Sequence, residues 1–237
     1  MSVAMNSQLK NQISWDDKGI VGRSRCVMVL GVHGSGTSAV AGALHHLGCS
    51  MGKRTRGPHP TNPRGHYEDI RLGNWLDNAC KLDEQDKLDQ DLRDFKTYLF
   101  ERADTNRLWG LKEPRLSAKL DLIYDSIPHD WRVIYVERNE LAAARSAAKK
   151  WNRDDIADII SMHDTIRECR ALVLENFRPP ALWVNFNNLT SNPELHVRKM
   201  ANFIYEGIGE PSEEQIMEAT RFIDPSLNHK REEHSHA

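Results

Sequence analysis

The residues most able to do chemistry stand in four short groups: Gly31-Val32-His33-Gly34-Ser35-Gly36-Thr37-Ser38, the pair His66 and Glu68, Lys112 within Leu111-Lys112-Glu113-Pro114, and Arg138 with Ser146 eight residues further on. The first follows the apolar run Cys26-Val27-Met28-Val29-Leu30 and precedes a helical pattern. A β-rich run, a glycine turn carrying hydroxyls and a helix beginning at the glycines present backbone N–H groups, here from Gly34 to Ser38, to a phosphate. Each favourable charge-to-helix interaction contributes about 0.3–1 kcal/mol. The alternative is a purely structural turn, although three glycines with adjacent hydroxyls exceed what such a turn needs. Thr37 occupies the position where an ordinary ATP or GTP hydrolase carries its phosphate-binding lysine, so the cradle is kept and the point charge is lost.

Arg138 follows a strand pattern and offers directional, charge-assisted hydrogen bonds to a second anion, with Ser146 adding one more across the next helix. A surface arginine and a helix-facing serine are the competing reading. The elements that must position these groups are a strand over Cys26 to Val32, a helix over Ser35–Leu47 and a basic Gly/Pro-rich loop over Gly52–Gly65. Helices over Ile70–Leu82 and Asp86–Glu101 follow, the second carrying Leu88, Leu92, Phe95 and Leu99 at helical spacing. Further strands are expected at Leu108–Leu111, Trp131–Val136 and Ala181–Phe186, and further helices at Leu116–Ile127, after Glu137-Arg138-Asn139 and ending at Lys149-Lys150, at Ile156–Asn176, Glu194–Ile204 and Glu213–Ala219. Strands alternating with helices, without hairpin signals, predict an α/β, three-layer P-loop fold with a mainly parallel central sheet flanked by helices. In such a sheet ligands bind beyond the strand C-terminal ends, where the glycine loop, Lys112 and Arg138 all fall.

With 237 residues the chain fits one such domain over 24–231, a polar extension over 1–23 and a polar tail over 232–237. Thirty-two Lys plus Arg against 34 Asp plus Glu give a net charge of -2 without a long basic block, which argues against nucleic-acid binding through a cationic surface. No apolar stretch is long enough for a transmembrane segment, and the polar N-terminus lacks a secretory core, so a cytoplasmic protein is expected. Cys26, Cys49, Cys80 and Cys169 form no metal-ligand spacing and are expected as buried free thiols. Trp109, Trp131, Tyr135 and Trp183 belong to apolar strands and are expected in the core. A homo-oligomer is compatible with the sequence, and no coiled-coil heptad sets its state.

Taken together, these motifs resemble the P-loop sulfotransferases that use 3′-phosphoadenosine 5′-phosphosulfate (PAPS), especially bacterial members. VLGVHGSGTSAVAGALHHLG resembles their loop for the 5′-phosphosulfate, with Gly34, Ser35, Gly36, Thr37 and Ser38 at the donor; Arg138 and Ser146 resemble their 3′-phosphate site. Asn62-Pro63-Arg64-Gly65-His66-Tyr67-Glu68 is similar to the segment that supplies an acidic residue near the acceptor, and Lys112-Glu113-Pro114-Arg115 to a lysine-acid-proline motif. Val184 through Ile204 and Phe222-Ile223-Asp224-Pro225-Ser226-Leu227 are similar to the family's last strand and helix and to a recurrent bacterial tail.

The resemblance implies transfer of a sulfuryl group to a hydroxyl or amine of a small-molecule, carbohydrate, lipid or peptide acceptor, releasing 3′-phosphoadenosine 5′-phosphate (PAP) without a metal. It makes Glu68 the base and Lys112 the donor-side cation, with His66 as a competing proton acceptor or positioning group. The plainer reading of Glu68 is a carboxylate in the first turn of a helix. Arg221, Lys230 and Arg231 are further candidates for the 3′-phosphate. Two positions depart from the family pattern. Asn187-Asn188-Leu189 replaces a more acidic segment, and Gly34 stands where a basic residue usually precedes Ser-Gly-Thr. Loss of such a donor costs on the order of 3–4 kcal/mol in the transition state, so His33, Lys112 or a basic side chain from Lys53 to Arg64 would have to compensate. Without compensation the same pocket describes a nucleotide-binding protein that transfers poorly; a small-molecule phosphotransferase is the remaining enzyme alternative, weakened by Thr37.

Overall fold

The computed structural model describes residues 24–60, 62–79 and 85–227. The N-terminal extension, Cys80, Leu82, Lys230, Arg231 and the terminal tail lie outside them, as does the side chain of Leu88. Four parallel strands, β1 (Arg25–Leu30), β2 (Leu108–Lys112), β3 (Trp131–Glu137) and β4 (Ala181–Asn185), run in the order β2-β1-β3-β4. All six residues of β1 are buried. Its alternate side chains feed two cores, which is why the run is apolar without interruption. Cys26, Met28 and Leu30 pack with Leu72, Trp75, Leu99 and Leu116 on one face, while Val27 and Val29 pack with Val40, Leu44, Val197 and Ile216 on the other.

Helices α1 (Thr37–His46), α7 (Pro193–Tyr205) and α8 (Glu213–Phe222) cover the second face; α2 (Ile70–Ala79) and α3 (Gln85–Thr105) cover the first. Helices α4 (Glu140–Trp151) and α5 (Ile156–Phe177) lie beside each other after β3. The helix expected over Leu116–Ile127 is instead 3₁₀, in two pieces at Pro114–Leu122 and Tyr124–Ser126. Buried Leu116, Leu120, Ile123 and Ile127 are three or four residues apart, a spacing that serves either ladder, and the Glu113 carboxylate caps the tighter one by accepting from the Arg115 N–H.

Two details at β4 also differ from expectation. Trp183, on the edge strand β4, is 47% exposed; it stacks on Tyr135, with Arg170 beside both rings, rather than entering the core. Phe186, expected to end the strand, instead opens a helix, α6 (Phe186–Ser191), capped by Asn185. No described helix is long and apolar enough to cross a membrane.

Candidate active site

The C-terminal ends of all four strands converge on one cavity of about 320 Å³. His33, Gly34, Gly36, Thr37 and Ser38 line it after β1, Lys112 and Pro114 at the end of β2, Arg138 after β3, and Phe186 after β4. Strand order reverses around β1, which opens the crevice where α/β sheets bind ligands. Asn62 to His66, Glu68, and Phe222 to Asp224 close the remaining walls.

The glycine loop is shaped for an anion. Gly34 and Gly36 both have left-handed backbones, at φ 77 and 100. Gly36 is the N-cap of α1, and no side chain caps that end. The first N–H groups of the helix, at Thr37 and Ser38, have no intrahelical partners and open toward the cavity wall that these residues form. Ser35 is placed differently from the expectation. It is buried, and both its N–H and its hydroxyl donate to the Val32 carbonyl, so it shapes the turn without reaching the cavity.

Glu68 and Lys112 meet beside the loop. The Lys112 ammonium donates to Glu68 Oε1 at 2.6 Å and to the Ser38 hydroxyl at 3.3 Å, and both charged side chains are almost fully buried. Burial by itself pushes the Glu68 carboxyl up, but the Lys112 charge and hydrogen bond, with Lys150 and His66 further off, hold it down at about 2. Arg56 stands 3.6 Å from the other Glu68 oxygen. The backbone before Glu68 is held in place by packing: Tyr67 has a positive φ of 53, and its ring lies against Phe222 and His45.

His66 is buried, with Nδ1 3.1 Å from the Asn62 side-chain nitrogen. The same Asn62 nitrogen donates to the Gly65 carbonyl at 2.8 Å, which fixes the amide orientation. Nδ1 of His66 is therefore assigned as an acceptor and Nε2 as the N–H donor. Burial, followed by the Lys150 charge, lowers His66 to about 4. His33 sits edge-on to Trp151 at 4.8 Å and is pushed down to about 3 by burial and by Lys112 and Lys150. A ring so held is neutral at pH 7 and cannot replace a missing positive charge.

Arg138 donates to the Gly34 carbonyl at 3.0 Å and lies over the Phe186 ring, and Ser146 lines the same cavity from α4. Arg64 latches the tail by donating to the carbonyls of Arg221 and Phe222 and pairing with Asp224 at 3.0 Å. Glu113 holds Arg115, which also reaches Asp77, so this pair is scaffold. Asp69 accepts from the Arg71 N–H and is buried against Tyr98 and Arg102, as befits the start of α2.

Sequence reasoning passed over Lys149 and Lys150, which also line the cavity. The signal was present: Lys150 is four residues after Ser146, on the same side of α4.

Buried histidines are expected to contribute to the acid sensitivity of the fold. His33, His66 and His163 all lie below their ordinary value of 6.5, at about 3, 4 and 4, with burial the leading cause. Both ring nitrogens of the fully buried His163 lack a hydrogen bond among the described residues. Each folded-state value is depressed, so these rings leave stability unchanged above about pH 6.5 and reduce it as pH falls toward 4, by up to ~1.4 kcal/mol per pH unit per ring. Urea unfolding is expected to show a lower midpoint at pH 5 than at pH 7.5, and His163→Phe is expected to flatten that dependence. Equal midpoints at the two pH values would contradict the assignment.

No protein-family model matches the sequence, and neither does any curated protein. Among the described residues no group of three or more His, Cys, Asp or Glu could hold a metal ion. Solved structures do resemble it. The sulfotransferase domain of the Synechococcus PCC 7002 olefin synthase superposes with a TM-score of 0.55 at 17% identity, covering 89% of this chain and 88% of that one. Sulfotransferase STF9 from Mycobacterium avium gives 0.57 at 13% identity over 87% of this chain and 69% of that one. The sulfotransferase domain from the curacin biosynthetic pathway gives 0.50 at 12% identity, covering 83% and 77%. The architecture built around this cavity is the bacterial-type sulfotransferase fold.

Proposed function

We propose that the protein is a PAPS-dependent sulfotransferase acting on a hydroxyl or amine acceptor. The observation that carries the reading is the convergence of the glycine loop, Arg138 with Ser146, and the Glu68–Lys112 pair on one cavity at the strand ends. The loop N–H groups and the hydroxyls of Thr37 and Ser38 hold the 5′-phosphosulfate, and Arg138 with Ser146 holds the 3′-phosphate.

In the transfer step the acceptor oxygen or nitrogen forms a bond to sulfur as the bond from sulfur to the donor's bridging oxygen breaks. The electron pair of the broken bond stays on that oxygen, which becomes part of the 5′-phosphate of PAP, and the acceptor proton passes to Glu68. A carboxylate held at about 2 is a weak base. Lys112 already spans Glu68 and Ser38, so turning its ammonium toward the donor's bridging oxygen stabilises the developing charge and releases Glu68. Burial then raises the proton affinity of the freed carboxylate. With Nε2–H as its available donor, His66 positions the acceptor and leaves proton removal to Glu68.

The test is release of PAP from PAPS, with and without candidate acceptors. Acceptor-stimulated release is expected. PAP binding without release would favour a nucleotide-binding protein, the reading that the unfilled position at Gly34 supports. Arg138→Ala is expected to weaken PAP binding roughly 10- to 100-fold, the value of one charge-assisted contact at about 1.5–3 kcal/mol. Equal affinity in calorimetric titration would place the 3′-phosphate elsewhere.

A further inference from the structure

Lys150 lines the anion cavity without a hydrogen-bond or ion-pair partner among the described residues. Helix α4 runs alongside the glycine loop and packs against it through one stripe of residues four apart. A Cβ at Gly34 would lie 2.2 Å from the Ala143 carbonyl oxygen and 3.0 Å from the Ala147 nitrogen, while Trp151 meets the His33 ring. The neighbouring stripe, Ser146 and Lys150, lines the cavity. The docking that forbids any side chain at Gly34 therefore also brings Lys150 to the loop.

Lys149 also lines the cavity but is exposed, and three other basic groups at the site are engaged. Lys112 is neutralised by Glu68 at 2.6 Å, Arg64 is bound to the tail, and Arg138 bonds the Gly34 carbonyl. Lys150 is half-buried and makes no hydrogen bond or ion pair among the described residues. Burial lowers its proton affinity, and its charge in turn reaches His33, His66 and Glu68, which line the same cavity. A partly desolvated ammonium without a partner is costly until an anion arrives.

We infer that Lys150 is a catalytic residue that supplies, from the last turn of α4, the donor-side positive charge the glycine loop lacks at Gly34, contacting the sulfuryl group in transfer. The inference rests on the PAPS reading above. Lys150 stabilises the charge that spreads over the sulfuryl and bridging oxygens as the sulfur–oxygen bond opens, while Lys112 exchanges Glu68 for the bridging oxygen.

The test compares the parent chain with Lys150→Met and Lys150→Arg. PAP affinity is measured by calorimetry, and turnover as PAP released from PAPS with water as the acceptor, which yields sulfate. Lys150→Met is expected to lower turnover about 100-fold or more, as for loss of one transition-state donor, and PAP affinity by less than about tenfold. Lys150→Arg is expected to recover turnover to within about tenfold of the parent, because the charge is restored. A Lys150→Met protein that turns over within about threefold of the parent would overturn the assignment. So would a parent that binds PAP and releases none from PAPS, since there would be no transfer for Lys150 to serve. A parent that does not bind PAP refutes the donor reading itself, so the two failures are told apart.

Discussion

Glu68→Gln is expected to reduce turnover of PAPS by about 10²–10⁴-fold, the usual worth of a positioned general base, while PAP affinity holds or rises. The two halves of this result come from the same contact. Glutamine cannot take the acceptor proton, yet it keeps an oxygen to receive the Lys112 ammonium, which now stands 2.6 Å from Glu68 Oε1. Loss of the carboxylate charge leaves Lys112 freer to face an incoming phosphate or sulfuryl oxygen, so anion binding is not weakened. A carboxylate serving only to begin α2 gives the opposite pattern: lower stability, weaker binding and unchanged chemistry per bound donor. Rapid-mixing turnover alongside calorimetry separates the cases, and unchanged turnover in Glu68→Gln would remove Glu68 from the mechanism. Lys112→Ala is expected to fall in the same direction for a different reason, because it leaves Glu68 buried without its main partner and also removes a donor-side cation.

Restoring a basic residue to the glycine loop is expected to damage the protein instead of improving it. Gly34→Lys introduces a Cβ at 2.2 Å from the Ala143 carbonyl oxygen and places a non-glycine residue at φ 77. Left-handed strain costs of order 1–3 kcal/mol and overpacking typically about 1–3 kcal/mol. A combined loss of about 3 kcal/mol or more corresponds to roughly 6–12 °C in Tm for a domain of this size. The obstacle is backbone, so trimming Ala143 to glycine gives no relief. Gly57→Ala, with nothing within 4 Å of its added Cβ, is the matched control and is expected to be neutral. A Gly34→Lys protein with parental Tm and higher turnover would show that the loop accepts a cation and that α4 does not exclude one.

Much of the site was legible in the chain because each part is local to a strand end. The apolar run of β1 passes into a glycine turn, β2 ends on Lys112, and β3 is followed by Arg138. A parallel sheet then brings those ends together without further information. What the sequence did not reveal depends on contacts between distant segments. The packing of Ala143 and Ala147 against Gly34 links residues more than a hundred positions apart, so the glycine read as a catalytic gap when it is the place where α4 docks. Ser35 looked from its place in the motif like a backbone N–H donor to phosphate, but both that N–H and its hydroxyl are taken by the Val32 carbonyl. The tautomer of His66 depends on Asn62 and Gly65 together. Trp183 illustrates a different limit: its apolar character is real, but it lies on an edge strand that is left partly uncovered, whereas Trp109 on the other edge is buried.

A crystal structure of the protein with PAP bound tests the central claim most directly. The expected result places the 5′-phosphate on the N–H groups of Gly36, Thr37 and Ser38, the 3′-phosphate on Arg138 and Ser146, and the Lys112 and Lys150 ammonium groups toward the 5′ end. A nucleotide lodged elsewhere, or a 3′-phosphate that touches neither Arg138 nor Ser146, would contradict the account.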